Sequence, residues 1–219
     1  MRTIIIAVVF LLASFGVFAQ NVVMEVSGTV ELMFPGASEF VPARAGIEIV
    51  KETIVSTGFR SSALIKVEST LITVRPLTRM TLSEIASQAG TETLNVNLQA
   101  GRVRMDVNPP AGTKVSATVS STVATASVRG TSFEFDTRNL YVYEGTVSFS
   151  GSQGLPVLVS SGSSSYAGEG GGVSDPIGDQ ISELTPTPPP GTGAATGGDD
   201  TDDSLLSSGV NFDITINWQ

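Results

Sequence analysis

Apolar and polar residues alternate along most of this chain with a period of two. Val103, Met105 and Val107 are separated by Arg104 and Asp106, Phe133 and Phe135 by Glu134, and Val147 and Phe149 by Ser148. Successive side chains of an extended strand point to opposite faces, so this pattern sends one face to a core and one to water. The runs that read as strands are 22–32, 47–55, 63–67, 71–74, 80–82, 93–98, 103–107, 115–119, 123–128, 133–136, 140–143, 146–149 and 155–159, and Val, Ile and Thr dominate them. Turn chemistry separates them at Pro35-Gly36, Thr57-Gly58, Pro109-Pro110-Ala111-Gly112, Arg138-Asn139 and Glu144-Gly145. No segment sustains a 3.6-residue apolar period; 83–89 reads at most as one helical turn. The pattern predicts an all-β domain of short strands: a sandwich, a barrel or a solenoid.

One phrase recurs within it. Gly28-Thr29-Val30-Glu31-Leu32, Gly101-Arg102-Val103-Arg104-Met105, Gly130-Thr131-Ser132-Phe133-Glu134-Phe135 and Gly145-Thr146-Val147-Ser148-Phe149 each begin with glycine and run into an alternating strand. Glycine supplies the unusual φ that a tight turn needs.

The two ends depart from the pattern. Arg2, the apolar run Ile4 to Leu12 and the small residues at Val17-Phe18-Ala19 have the form of a cleavable secretory signal. Removing 19 of the 219 residues leaves 200, starting at Gln20. The expected location is therefore periplasmic or secreted, with no membrane span after cleavage. From about Ile181 the composition shifts. Residues 182–209 hold Thr185-Pro186-Thr187-Pro188-Pro189-Pro190, a Gly-rich stretch and Asp199-Asp200-Thr201-Asp202-Asp203, which reads as a disordered linker. The last segment, 210–219, alternates again: Val210, Phe212, Ile214, Ile216 and Trp218 form one apolar face. A lone amphipathic strand must pair with something, either an edge of its own domain or a partner's sheet. The predicted organisation is signal 1–19, β domain 20–181, linker 182–209 and C-terminal strand 210–219.

Charge and composition narrow the chemistry. A net charge of −9 with scattered lysines and arginines disfavours nucleic acid. The chain has no histidine and no cysteine, which removes Ser-His-Asp and Cys-His catalysis and the usual zinc ligand sets. No disulfide can form, so an exported chain of this length depends on its core. A carboxylate pair is the remaining common catalytic option. Glu25, Glu31, Glu48, Glu68, Glu134 and Asp136 alternate with apolar positions, however, and read as a solvated face. No catalytic, cofactor or metal site is expected. The Asp199–Asp203 run lacks the turn glycine and bidentate Glu of an EF-hand loop.

Two clusters stand out. Arg129-Gly130-Thr131 offers an arginine beside a glycine turn, which could bind an anion. The structural alternative fits turn chemistry better: Gly130 bends the chain, the Thr131 hydroxyl ties down the turn, and Arg129 pairs with Glu144 or Glu134. Tyr141, Tyr143 and Tyr166 could stack on sugars, although Tyr141 and Tyr143 at alternate positions suit core or cross-strand packing better. With Phe212 and Trp218 they are the candidate interaction residues.

The order of these pieces resembles the FecR domain of bacterial envelope proteins. The resemblance runs from about Val26 to Gly172. It rests on Val26-Ser27-Gly28-Thr29-Val30, on Val55-Ser56-Thr57-Gly58-Phe59-Arg60-Ser61-Ser62-Ala63-Leu64-Ile65-Lys66-Val67, and on Leu98-Gln99-Ala100-Gly101-Arg102-Val103. Val128-Arg129-Gly130-Thr131-Ser132-Phe133 and Val142-Tyr143-Glu144-Gly145-Thr146-Val147 complete it. Gly28, Gly101, Arg129, Gly130, Thr131, Glu144 and Gly145 carry the motif. The resemblance implies a compact, all-β, solenoid-like unit. In family members with a complete signalling architecture, that unit belongs to the periplasmic arm of a regulator linking an outer-membrane receptor to a sigma factor. Here a signal-type segment stands where such regulators carry an anti-sigma segment and a membrane helix. A linker and one strand stand where they carry a mixed α/β subdomain, and Glu68-Ser69-Thr70 replaces the usual Asp-Gly turn. The expected role is that of a non-catalytic module binding another envelope component, a protein or alternatively a cell-wall glycan, or of an accessory to envelope signalling.

Overall fold

Among the described residues, sixteen strands form from these alternating runs. The computed structural model describes residues 21–176. In chain order the strands are β1 (Val22–Ser27), β2 (Val30–Met33), β3 (Val41–Pro42), β4 (Ile54–Thr57), β5 (Ser62–Val67), β6 (Thr70–Val74), β7 (Arg79–Gln88), β8 (Thr91–Ala100), β9 (Arg102–Val107), β10 (Lys114–Ser120), β11 (Ala124–Val128), β12 (Ser132–Asp136), β13 (Asn139–Glu144), β14 (Thr146–Gly151), β15 (Val157–Ser160) and β16 (Ser164–Tyr166). They make two sheets. One runs β1-β5-β6-β9-β12-β13-β16, the other β15-β14-β11-β10-β8-β7-β4-β2-β3. Neighbours are antiparallel except β8 and β10, which pair in parallel from Thr91↔Lys114 to Asn97↔Ser120.

The period-two positions of both sheets meet in one core. Ile65, Ile72, Met105, Phe133, Phe135 and Val142 come from the first sheet, and Leu32, Met80, Leu82, Leu98, Val119 and Phe149 from the second, all fully buried. Phe135 of β12 meets Phe149 of β14 edge-on, ring centroids 5.9 Å apart, a direct contact between the two sheets. Each such side chain contributes about 1.5–3 kcal/mol on burial. Of the architectures open from sequence, this is the sandwich.

Several local expectations change. The run 22–32 breaks into β1 and β2 at Gly28, where φ is +73°. Residues 47–53 do not form a strand; they loop beside β1, with Glu48 bridging Val22, and only Ile54–Thr57 pairs regularly. The helical turn at 83–89 is absent. Residues 83–88 extend β7, and Ala89 and Gly90, at φ +48° and +76°, make a two-residue turn into β8. Two successive positive φ values match the right-handed twist of paired strands, so the turn continues the sheet where a helix would leave it. The short β3 and β16 are additional to the predicted strands. The linker and the 210–219 strand lie outside the described residues, as does the signal segment.

Candidate functional site

The recurring glycines mark the places where the chain changes sheet. Gly28 joins β1 to β2, Gly101 joins β8 to β9, and Gly145 joins β13 to β14; each join crosses from one sheet to the other. All three have positive φ, from +73° to +85°. Each also packs against a buried Ser or Thr at a second crossing: Gly28 on Ser61 between β4 and β5, Gly101 on Thr78 between β6 and β7, Gly145 on Thr131 between β11 and β12. A Cβ on Gly101 would lie 2.5 Å from Thr78 Cα and 2.6 Å from Leu77 O, and one on Gly145 would lie 2.6 Å from Thr131 Cγ2. Only hydrogen fits there. The hydroxyls then stitch the crossings. Ser61 Oγ accepts from Thr29 N at 2.8 Å and donates to Phe59 O. Thr78 Oγ1 accepts from Arg102 N at 3.0 Å and donates to Arg102 O at 3.1 Å. Gly28, Gly101 and Gly145 are thus builders of corners.

Thr131 departs from this scheme. Its Oγ1 is buried without a hydrogen-bond partner among the described residues, so the hydroxyl does not tie down the turn. Its methyl fills the space beside Gly145, and its backbone O accepts from Val107 N at 3.0 Å. Gly130, at φ +127°, meets nothing closer than the Pro109 ring at 3.7 Å, so conformation rather than crowding requires glycine there. The expected pairing of Arg129 is also absent: it forms no ion pair with Glu144 or Glu134. The sheet change at Gly130 explains this, since Arg129 follows β11 of one sheet and Glu134 lies on β12 of the other. Glu144 is exposed at the end of β13.

Glu134 is engaged elsewhere. The outer face of the first sheet carries charged residues at the positions between the core residues of β9 and β12. Glu134 accepts from Arg75 Nη2 at 2.9 Å and Arg102 Nη1 at 3.2 Å, and Arg102 Nη2 reaches Asp136 at 3.4 Å. Arg104 binds Asp106 at 3.0 Å and lies over the Tyr143 ring, 4.4 Å from its centroid. The Asp106 hydrogen bond raises the Arg104 pKa further, so it is a permanent cation. Tyr141 and Tyr143 do not enter the core. Both are about two-fifths exposed, and their rings meet edge-on at 4.8 Å. Tyr166 is exposed on the neighbouring β16, one row away. The structure therefore gathers Tyr141 and Tyr143 with Arg104 on one face; Phe212 and Trp218 lie outside the described residues. Sequence reasoning missed the ion-pair ladder, whose signal was Arg102-Val103-Arg104-Met105-Asp106 beside Glu134-Phe135-Asp136.

Among the described residues no three acidic side chains gather as a cation site. Glu68 and Glu92 lie near each other below the β5–β6 turn. Burial, then repulsion from Glu92, raises the Glu68 pKa, and Lys66 opposes the rise. Ser69 donates to Glu92 through its backbone N at 3.2 Å and through its hydroxyl.

The four sheet edges differ. β1 is covered by 46–49, through Val23 N to Ile47 O at 2.9 Å and Ile49 N to Asn21 O at 2.7 Å. β3 is two residues long and ends in Pro42, and β16 is bonded by Ser174. β15 pairs with β14 on one side, and no backbone bond from Val157, Leu158 or Val159 reaches the other side among the described residues. Leu158 is 70% exposed and the adjoining Leu155 86%. Sequence reasoning assigned a strand here without seeing that it would be an open edge.

No curated protein matches the chain. Two crystal structures of a candidate anti-sigma factor from Parabacteroides distasonis ATCC 8503 are similar to it at 15% and 14% identity, with TM-scores of 0.46 and 0.45. Each alignment covers 55% of this chain and 57% of the other, so the chain spans little more than half the length of those proteins. The FecR protein family matches residues 53–148, the stretch from the start of β4 into β14 that holds the Gly101, Gly130 and Gly145 corners. Through that stretch, residues 53–148, the chain is similar to the FecR protein family.

Proposed function

We propose that this chain is a non-catalytic binding module of the bacterial envelope, of the regulatory kind associated with FecR domains, and that it holds an extended segment of a partner protein at β15. The observation that carries this reading is the open edge of β15. Exposed edges invite pairing, and folded proteins usually blunt them. Three edges here are covered or too short, while among the described residues β15 has no backbone partner on its outer side, beside Leu155 and Leu158. A partner strand added there gains main-chain hydrogen bonds, and an apolar side chain over each leucine adds about 1.5–3 kcal/mol. Export through the 1–19 segment is part of the proposal; the mature chain should begin at Gln20 when sequenced from its N-terminus.

The test compares the full chain with a Leu155→Asp/Leu158→Asp double variant in capture from an envelope extract, alongside pelleting with purified cell-wall sacculi. The expected result is a protein captured by the wild type and lost by the variant, with equal melting temperatures. Capture of the same protein by both would refute the edge, and pelleting with sacculi without any captured protein would replace a protein partner by a wall glycan.

A further inference from the structure

The outer face of the second sheet carries a second feature, which reaches Leu158 of β15 at one end. Two adjoining depressions of about 460 and 440 Å³ share Ser116 and Arg129. Lys114 lines the first beside Arg129, and Thr118, Ser127 and Ser148 line the second. Arg129 and Lys114 are exposed and neither forms an ion pair among the described residues. On β8, β10, β11, β14 and β15 the positions between the core residues hold Thr, Asn, Gln, Ser, Lys and Leu, with no carboxylate. On the same face the adjoining β7 brings Glu84, whose carboxylate accepts from Asn95 Nδ2 at 2.8 Å and bounds the floor on that side.

We infer that this groove is a binding site for an anionic glycan. Among the described residues neither cation has an ion-pair partner, and the outer positions of β10, β11, β14 and β15 around them hold no carboxylate, which leaves an anionic group as their complement. Arg129 presents a planar fork suited to a carboxylate or phosphate, and Lys114 adds a mobile point charge. The floor is a row of groups that both donate and accept. Thr118, Ser127 and Ser148 stand opposite one another across β10, β11 and β14, and the Thr118 and Ser127 hydroxyls lie 3.4 Å apart. Strand spacing of about 4.8 Å repeats these groups at a pitch close to one pyranose ring. Sugar hydroxyls can exchange hydrogen bonds with such a row.

The test uses the full chain with four probes: an oligogalacturonate hexamer, its neutral methyl ester, inorganic phosphate and a polyglutamate peptide of equal charge. Binding is measured by titration calorimetry at two salt concentrations. The hexamer should bind and weaken as salt rises, while the ester, phosphate and peptide bind at least about tenfold more weakly. Arg129→Gln and Lys114→Gln should each weaken the hexamer about tenfold without moving the melting temperature, as both side chains are exposed. Equal binding of the ester would remove the role of charge. Stronger binding of the peptide would make the site a peptide site, and phosphate binding as tightly as the hexamer would reduce it to a simple anion site. Full hexamer affinity in the Arg129→Gln/Lys114→Gln double variant, or no hexamer binding at all, would overturn the inference.

Discussion

Gly101→Ala is the sharpest test of the corner device. The residue sits at φ +85°, between β8 in one sheet and β9 in the other. Two effects add. An L-residue in the left-handed region costs about 1–2 kcal/mol. The new Cβ would also stand 2.5 Å from Thr78 Cα and 2.6 Å from Leu77 O, both backbone atoms that no side-chain rotation can move. Relieving that overlap shifts the β6–β7 crossing, at about 1–3 kcal/mol for an overpacked site. The same shift disturbs the two hydrogen bonds between Thr78 and Arg102, worth about 1 kcal/mol each. The expected loss is about 3–5 kcal/mol, a large part of the 5–15 kcal/mol typical of a domain. Gly36→Ala supplies the control. Its φ is +78°, but its Cβ would meet nothing within 4 Å, so it carries the conformational term alone, about 1–2 kcal/mol. Urea unfolding followed by far-ultraviolet circular dichroism gives both values, with an unchanged slope showing that the comparison is sound. The two terms predict that Gly101→Ala loses at least about 2 kcal/mol more than Gly36→Ala. Equal losses would mean that the close approach to Thr78 is not what requires glycine, and the corner account would fail.

Other outcomes follow from single groups. Thr131→Val keeps the shape and removes a buried hydroxyl that has no partner, so it should stabilise the domain by about 1–2 kcal/mol in the same urea assay; a destabilised variant would show that the hydroxyl is satisfied in solution. Glu68 has a raised pKa, so the folded state binds its proton more tightly than the unfolded state. Its contribution to stability therefore falls as pH rises from the ordinary Glu range through the raised value. Glu68→Gln should accordingly be more stable than the wild type at neutral pH, with the difference shrinking as pH is lowered through that window; a difference independent of pH would refute it.

Alternation alone determined most of the fold. In β9, β12 and β14 the period of two named the buried residues correctly, because a strand has only two faces and one must be apolar. The glycine phrases were equally legible as turns, since positive φ is a local property. What those turns do was not legible. Whether a glycine closes a hairpin or carries the chain into the other sheet depends on the residue packed against it, and Ser61, Thr78 and Thr131 are 33, 23 and 14 residues away from Gly28, Gly101 and Gly145 in the chain. The same limit governed the polar residues. Arg129 and Glu134 are close in sequence and were expected to pair, but one sheet change puts them in different sheets, and Arg75 and Arg102 take Glu134 instead. Tyr141 and Tyr143 share a face by spacing, yet only the stacking of the sheets decides that this face meets water. An open edge is likewise a property of strand order. Local pattern says that residues 155–159 extend; only tertiary structure says that no other described strand borders β15 on its far side, because the neighbours of a strand are chosen by packing and not by adjacency in the chain.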